Sequence, residues 1–195
     1  MKKTSLLLII TVVLISSCGN KPKAGKGGTN KDTAAVQTGK LEDVDDAAEK
    51  KKEELTNLAP YSPDKLKEML PAELAGTVQS DIRTADAMGA STATAKYVIS
   101  DSSEIQLSII DCAGPGGVGI YNMQYLGRYT VNEENEDEYT KSVDFNGGKA
   151  FENCRKNHNR CTFTFFSGDR FLIALEGDNV GIDELKNLAR GLRIK

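Results

Sequence analysis

The stretch DCAGPGGVGIYN, residues 111–122, has the residue types of a phosphate-binding turn. Gly114, Gly116 and Gly119 match the spacing G-x-G-x-x-G, which in dinucleotide-binding proteins brings backbone amides against a pyrophosphate at the start of a helix. An apolar run precedes these glycines, and a run with roughly helical apolar spacing follows them. The first chemistry to consider is therefore the binding of a nicotinamide cofactor.

The context that this motif requires is missing. A dinucleotide turn follows a buried parallel strand with a continuous apolar run, whereas residues 104–111 alternate between apolar and polar. Pro115 also removes one backbone donor from the turn. We therefore predict no cofactor. The glycines are expected to form a strand-to-helix turn that needs positive φ and small volume. The alternative is a notch in which Gly114, Gly116 and Gly117 contact a ligand.

Two cysteines bracket a predicted hairpin turn in CRKNHNRC, residues 154–161. If residues 156–159 form the turn, Cys154 and Cys161 lie opposite each other at a Cα separation of ~4.5–5.5 Å, which a disulfide can span. We predict this disulfide, the alternative being two buried thiols. Cys112 is then expected to be a small buried residue, since nothing in the sequence brings His158 beside it as a catalytic base.

Basic side chains flank the same turn. Arg155, Lys156, His158 and Arg160 are candidate contacts for a partner or a ligand. The acidic run NEENEDE, residues 132–138, is expected to be a solvated loop, because it lacks the glycine and the ligand rhythm of a calcium loop.

The sequence offers little for catalytic or metal chemistry. It has one histidine and no cysteine group with zinc-ligand spacing, so no metal site is predicted. The motifs G-x-S-x-G and H-E-x-x-H and the phosphate loop are absent from it. The enzymatic alternative is a site built from scattered carboxylates such as Asp111 and Glu138.

The N-terminus has the pattern of an export signal. Lys2 and Lys3 precede the apolar run of residues 6–15, which is shorter than the about 20 residues needed to span a bilayer as a helix and typical of a secretory signal peptide. The following Ile-Ser-Ser-Cys, residues 15–18, resembles the lipobox of bacterial lipoproteins. The resemblance implies cleavage after residue 17 and acylation of Cys18, a stable membrane anchor.

Charge separates the segment beside this anchor from the rest of the chain. The whole chain has 25 basic and 28 acidic residues. Residues 19–40 contain five lysines and one aspartate, whereas residues 41–195 contain 18 basic and 27 acidic residues, a formal charge of −9. A basic segment is attracted to anionic head groups. The acidic body argues against nucleic acid as a partner.

Four regions are predicted along the chain. Residues 1–17 are a signal peptide, and residues 18–40 are the lipidated cysteine with a flexible tether. Residues 41–59 form a charged helix, expected to be a solvated stalk or, alternatively, a coiled-coil contact through residues 41–58. Residues 60–195 form one globular domain.

The pattern of this domain predicts an α+β fold, with a mostly antiparallel sheet of about 6–7 strands packed against helices. A helix is expected after Ser62, which caps it ahead of Pro63. Two more helices are expected near residues 118–128 and 182–192. The expected strands are residues 78–85, 94–100, 104–111, 139–145, 149–155, 160–166 and 170–176.

This element order resembles the sandwich of the extrinsic (PsbP-like) proteins of photosystem II. The segments PDKLKEMLPAELAG and GDRFLIALEGD, the latter followed by IDELKNL, also resemble a class of uncharacterised bacterial lipoproteins. Neither resemblance implies a catalytic motif.

These observations favour a lipid-anchored, non-catalytic binding or accessory module of the bacterial envelope. The anchor would hold it at the periplasmic face of the inner or outer membrane, or at the cell surface. Its partners would be the membrane, through Cys18, and an envelope protein or small ligand. The expected contacts are a sheet edge, the glycine turn or the basic hairpin tip.

Overall fold

The computed structural model describes the backbone of residues 34–194 and the side chains of residues 46–194 apart from that of Ala87. The predictions for the signal peptide, for Cys18 and for most of the tether lie outside these residues. The described α-helices are α1 (Ala34–Asn57), α2 (Pro63–Glu68), α3 (Gly114–Ile120) and α4 (Ile182–Gly191).

The described strands form two antiparallel sheets. Their bounds are β1 (Glu73–Leu74), β2 (Thr77–Val78), β3 (Ser80–Ala87), β4 (Ala90–Ser100), β5 (Ser103–Asp111), β6 (Asn132–Glu134), β7 (Glu138–Phe145), β8 (Gly148–Arg155), β9 (Arg160–Ser167) and β10 (Phe171–Asp178). The first two strands pair with each other, and the other eight form one sheet in the order β3-β4-β5-β10-β9-β8-β7-β6. The predicted α+β class with a mostly antiparallel sheet is confirmed.

The large sheet has one strand more than the seven expected. The additional strand, β6, lies in the acidic segment 132–138, where we expected a loop, and it pairs with β7 through Glu134 and Tyr139. Its three side chains are all exposed. An edge strand can be this polar because it covers no core, so a composition argument misses it.

The main hydrophobic core lies on one face of the large sheet. Ile109, Phe163 and Ile173 on this face are fully buried or nearly so, and α2 and α4 cover them with Leu66 and Leu185. Each of these five side chains removes enough apolar surface from water to contribute about 1.5–3 kcal/mol before entropy is counted. The predicted central strand is confirmed, since β10 lies between β5 and β9 and is buried on both faces over residues 171–173.

A second, smaller core lies on the opposite face. Leu172 and Phe151 of the sheet pack there against Tyr121 and Tyr125, which follow α3, and against Leu55 of α1. Only the end of the sheet near α3 is covered in this way. The arrangement leaves two environments side by side on one sheet face, an aromatic cluster and a polar surface.

Helix α1 differs from the solvated stalk expected over residues 41–59. It begins at Ala34, and its last turns pack onto the body, where Leu55 is 0% exposed. The charged residues that suggested a stalk pair with one another along the helix, as Lys51 does with Glu54 and Lys52 with Glu49. One buried leucine among many charged residues makes a weak sequence signal.

The hairpin of β8 and β9 carries the predicted cysteine pair. Cys154 and Cys161 are directly opposite in the strand register, and their sulfurs are 2.09 Å apart, at disulfide distance. The turn between the strands is a short 3-10 segment, Lys156–His158, followed by Asn159 with φ of 46°. Cys112 is buried and unpaired, as expected.

Candidate functional site

A π-helical turn, Tyr121–Tyr125, follows α3 and presents tyrosines four residues apart. The rings of Tyr121 and Tyr125 stack with their centroids 5.4 Å apart, and Tyr129 meets Tyr125 edge-on at 6.0 Å. Residues four apart share one face of a helical segment, so the spacing alone brings the three rings together. Single π turns occur frequently at functional sites.

Phenylalanines of the sheet support this row of tyrosines. The ring of Phe166 lies 4.9 Å from Tyr121 and 5.4 Å from Tyr125. The ring of Phe151 contacts Tyr125 edge-on at 5.5 Å. Such aromatic pairs contribute about 0.5–1.5 kcal/mol each beyond the burial of their area, so the tyrosine row is held in a defined position.

The rings of Tyr121, Tyr125, Tyr129 and Phe166 line one wall of a cavity of about 530 Å³. The opposite wall is α1, which contributes Ala47, Ala48 and Lys51. The tips of two hairpins complete it through residues 145–148 and 168–169. A volume within the usual ~300–1,000 Å³ range and several aromatic side chains in the lining are typical of a small-molecule site.

The tyrosine hydroxyls supply hydrogen-bond donors at this site. The hydroxyl of Tyr125 accepts a bond from the backbone N–H of Lys149 at 3.2 Å, which leaves its own proton available to a ligand. Burial raises the pKa of Tyr121 and of Tyr125 above the usual value. Both hydroxyls therefore stay protonated at neutral pH and donate to an acceptor.

A charged pair lies at the mouth of the cavity. Lys51 of α1 binds Glu54 at 2.6 Å and lies 3.5 Å from Asp169, in the turn between β9 and β10. The hydrogen bond to Glu54 raises the pKa of Lys51, against the lowering effect of its burial. The lysine thus remains charged, and its contact with Asp169 links α1 to the opposite rim.

A buried ion pair determines where α1 meets the body. Asp111, at the end of β5, is 0% exposed and receives two bonds from Arg170, at 2.9 Å and 2.8 Å. Arg170 also donates to the carbonyl oxygen of Ala59 at 2.7 Å, just after α1. Breaking a buried pair of this kind leaves an uncompensated charge and costs about 3–5 kcal/mol.

The remaining contacts of this pair attach the connection between α1 and α2. The Asp111 carboxylate accepts the backbone N–H of Tyr61 at 2.7 Å and that of Ala113 at 3.0 Å. The guanidinium of Arg170 lies over the Tyr61 ring, 3.7 Å from its centroid. Asp111 therefore acts in the structure as a structural anchor for the wall of the cavity.

The glycine turn is closed by the protein itself. A Cβ on Gly116 would lie 2.1 Å from the carbonyl oxygen of Met88, and one on Gly117 would lie 2.4 Å from the carbonyl carbon of Cys112. Gly114 has φ of 72° and packs against Pro60. Close backbone approach and positive φ explain these glycines, and a ligand finds no space beside them.

Three basic side chains of the hairpin tip lie near carboxylates, two of them at hydrogen-bond distance and one farther away. Arg160 binds Asp178 at 2.6 Å and 3.0 Å, and Lys156 binds Glu134 at 3.1 Å. Arg155 lies 3.9 Å from Glu138.

His158 is exposed at the tip of this hairpin. Asn157 beside it bonds to Asp137 of the acidic segment. Together with the paired Lys156 and Arg160, this makes the tip a neutralised contact between two loops rather than a basic patch.

Asp111 and Glu138 lie far apart. Their strands are separated by β10, β9 and β8, about 19 Å at the usual ~4.8 Å spacing. When the strand pairing is followed across β8 and β9, Glu138 lies level with Asp178 of β10, whereas Asp111 lies opposite the first residue of β10. These two positions on β10 are seven residues apart, which adds about 23 Å along the strands. The two carboxylates do not form one site.

Cys112 and His158 are likewise at different ends of the domain. The backbone N–H of Cys112 binds the carbonyl of Arg170, beside the turn that precedes β10. His158 lies at the tip of the β8–β9 hairpin, beyond the other end of that strand. Burial raises the pKa of the Cys112 thiol to about 12, so it is not a thiolate at neutral pH.

Both edges of the large sheet disfavour strand addition by a partner. Strand β3 has an irregularity between Ser80 and Arg83, and Arg83 binds Asp81 at 3.0 Å and 2.8 Å. Strand β6, at the opposite edge, is three residues long and contains two glutamates. Bulges, short strands and charges are the usual protection of an edge.

Among the side chains that the structure describes, from residue 46 to residue 194, no three or more of histidine, cysteine, aspartate and glutamate are grouped to hold a metal ion. The described helices include none with the length and apolarity needed to cross a bilayer. Comparisons with protein-family models, with curated proteins and with solved structures find no match to this chain.

The aromatic cavity is the site that sequence reasoning missed. Tyr121, Tyr125 and Tyr129 were visible at a spacing of four, but that spacing is also typical of a helix buried in a core. The other wall depends on α1, which lies more than sixty residues earlier in the chain and was expected to be solvated. Only their packing in three dimensions forms a cavity.

Proposed function

We propose that this protein is a non-catalytic binding module, held at a bacterial envelope membrane by acylation of Cys18. Its ligand site would be the cavity between α1 and the tyrosine row. One combination of features supports this ligand site: a π-helical turn lies beside a cavity of about 530 Å³ that is lined by Tyr121, Tyr125, Tyr129 and Phe166.

The lining indicates the chemistry of the ligand. Stacked aromatic rings favour a planar or apolar group, and the protonated hydroxyls of Tyr121 and Tyr125 favour acceptor oxygens on it. Among the described residues Lys51 is the only cation of the lining, and it is already bound to Glu54 and Asp169. We therefore propose an uncharged ligand with one ring system and at least one carbonyl or ether oxygen.

The proposed anchor has a direct connection to this site. The chain from Cys18 leads into α1, which forms one wall of the cavity and is attached to the body by Leu55 and by the Asp111–Arg170 pair. An anchor on the segment of chain that precedes this wall would keep the ligand within reach of the membrane.

The ligand site is tested with 4′-fluoroacetanilide, an uncharged ring with one carbonyl acceptor, observed by fluorine NMR on the detergent-solubilised full chain. We expect the fluorine signal to broaden in a saturable way with the wild type. Tyr129→Leu should weaken the effect, whereas Tyr139→Leu, on β7 outside the cavity, should retain it. Equal broadening by both variants, or none with the wild type, refutes the proposed site.

The anchor is tested separately with Cys18→Ala. The wild type should incorporate radiolabelled fatty acid and fractionate with membranes, and the variant should lose the label. Retention of the label by the variant, or its absence from the wild type, refutes lipidation at this cysteine and leaves the ligand site unaffected.

A further inference from the structure

The part of the sheet face not covered by α1 and α3 is polar and half-exposed. Two rows of side chains cross it. The first contains Thr164, Phe151 and Ser142, and the second contains Thr162, Asn153 and Thr140. An antiparallel sheet commonly packs one face on the core and leaves the other face to water. The polar part of this face is therefore open to a ligand.

A groove of about 390 Å³ lies on this face, on the other side of Phe151 from the tyrosine row. Its length follows β8 from Phe151 to Arg155, about 13 Å for four residues. The lining side chains that carry polar groups are Arg128, Glu133, Thr140, Asn153, Arg155, Thr162 and Thr164.

The two arginines of the groove are under-paired for an acidic protein. Among the described residues Arg128 has neither an ion pair nor a side-chain hydrogen bond, and the nearest carboxylate to Arg155 is that of Glu138 at 3.9 Å. Arg160, the neighbour of Arg155 across the hairpin, binds Asp178 at 2.6 Å. The groove thus keeps two guanidinium groups available in a body whose formal charge is −9 over residues 41–195.

Threonine hydroxyl groups line the same groove as these arginines. Thr162 and Thr164 point to the same face of β9, and Thr164 is 8% exposed. Neither hydroxyl has a side-chain hydrogen bond within the part of the chain that the structure describes. Asn153 donates to Thr140 at 2.8 Å, and its carbonyl oxygen has no partner among the described residues. Polar groups without a protein partner in a groove can exchange hydrogen bonds with a polar ligand.

We propose that this groove is a second ligand site, for a small hydroxylated carboxylic acid of the size and chemistry of one acidic sugar. The guanidinium groups of Arg128 and Arg155 bind the carboxylate, because guanidinium and carboxylate form paired, charge-assisted hydrogen bonds. Thr162, Thr164 and Glu133 exchange hydrogen bonds with the hydroxyls of the ligand. This second site is formed by residues that do not line the aromatic cavity, so the proposal does not depend on the proposed function of that cavity.

The test is isothermal titration of the detergent-solubilised full chain with D-galacturonate at low ionic strength. D-galactose, which has the same ring without the carboxylate, and acetate, which has the carboxylate without the ring, are the comparison ligands. We expect saturable binding of galacturonate, at least about tenfold weaker binding of acetate, and no measurable binding of galactose.

Variants place the binding in the groove. Arg128→Gln and Arg155→Gln should each weaken galacturonate binding by about tenfold or more, the usual effect of removing one partner of a charged hydrogen bond. Arg83→Gln, an exposed arginine on β3 at the far edge of the sheet, should leave it unchanged. Binding that survives both groove variants, that falls equally in the Arg83 variant, or that is equal for acetate overturns the proposal, as does the absence of any binding.

Discussion

Leu55 tests whether α1 belongs to the folded body. Its side chain is 0% exposed and packs in the second core with Tyr121 and Leu172. Leu58, one turn later, is 40% exposed and provides a matched control. If α1 is part of the body, truncation of the two leucines to alanine must have very different effects.

The expected loss of folding stability in each variant follows from how deeply the leucine is buried. A fully buried Leu→Ala change removes apolar contacts and leaves a cavity, which costs about 2–4 kcal/mol at a site next to an open cavity that allows some relaxation. The exposed Leu58→Ala change should stay within about 0.5 kcal/mol. For a protein of this size the first change corresponds to a fall in Tm of about 5–12 °C.

The assay is urea unfolding followed by tyrosine fluorescence, since the chain has six tyrosines and no tryptophan. With a urea m-value of roughly 2 kcal/mol per M, Leu55→Ala should lower the midpoint by about 1–2 M and Leu58→Ala by less than about 0.3 M. Equal midpoints for the two variants would show that α1 is a solvated stalk and would remove one wall of the proposed site.

Two further predictions concern the glycine turn and the buried cysteine. Gly116→Ala should destabilise the protein by about 1–3 kcal/mol, because its Cβ would lie 2.1 Å from a backbone oxygen. Gly119→Ala, which meets nothing within 4 Å, should be neutral or stabilising by up to about 1 kcal/mol in thermal unfolding. A loss for Gly119 as large as that for Gly116 contradicts the packing explanation. Burial raises the pKa of Cys112 from 9.0 to about 12, so the unfolded chain releases this proton at lower pH than the folded one. Stability should therefore be complete below pH 9 and fall between pH 9 and 12. In urea titrations at stepped pH, Cys112→Ala should make the fall of the unfolding free energy with pH shallower. An unchanged pH dependence in this variant contradicts the prediction.

Local patterns were sufficient for the elements that determine their own geometry. The alternation of Ile105, Leu107 and Ile109 predicts a strand with one buried face, and all three are 0% exposed in β5. The spacing of Cys154 and Cys161 predicts a hairpin register, because a turn of four residues leaves those two positions opposite each other. Such signals lie within about ten residues of one another.

Other features could not be predicted from the sequence because they join segments that lie far apart in it. The ion pair of Asp111 and Arg170 spans fifty-nine residues, and its role as an anchor for α1 depends on a carbonyl at Ala59. The carboxylates around the hairpin tip come from the acidic segment and from β10. Charge alone suggested a basic patch at Arg155 and Lys156, since the sequence does not tell which acidic residue a basic one will face.

The sequence by itself determined the α+β class, the order of seven of the eight strands of the large sheet, the cysteine pair and the reason for the glycines. It did so because hydrophobic period, turn residues and cross-strand register are local properties of a chain. Only the tertiary structure decided that α1 is a wall of the body, that three tyrosines line a cavity and that two arginines share a groove. Those features depend on which surfaces pack against each other, and this packing is determined by the burial of residues that lie far apart in the sequence.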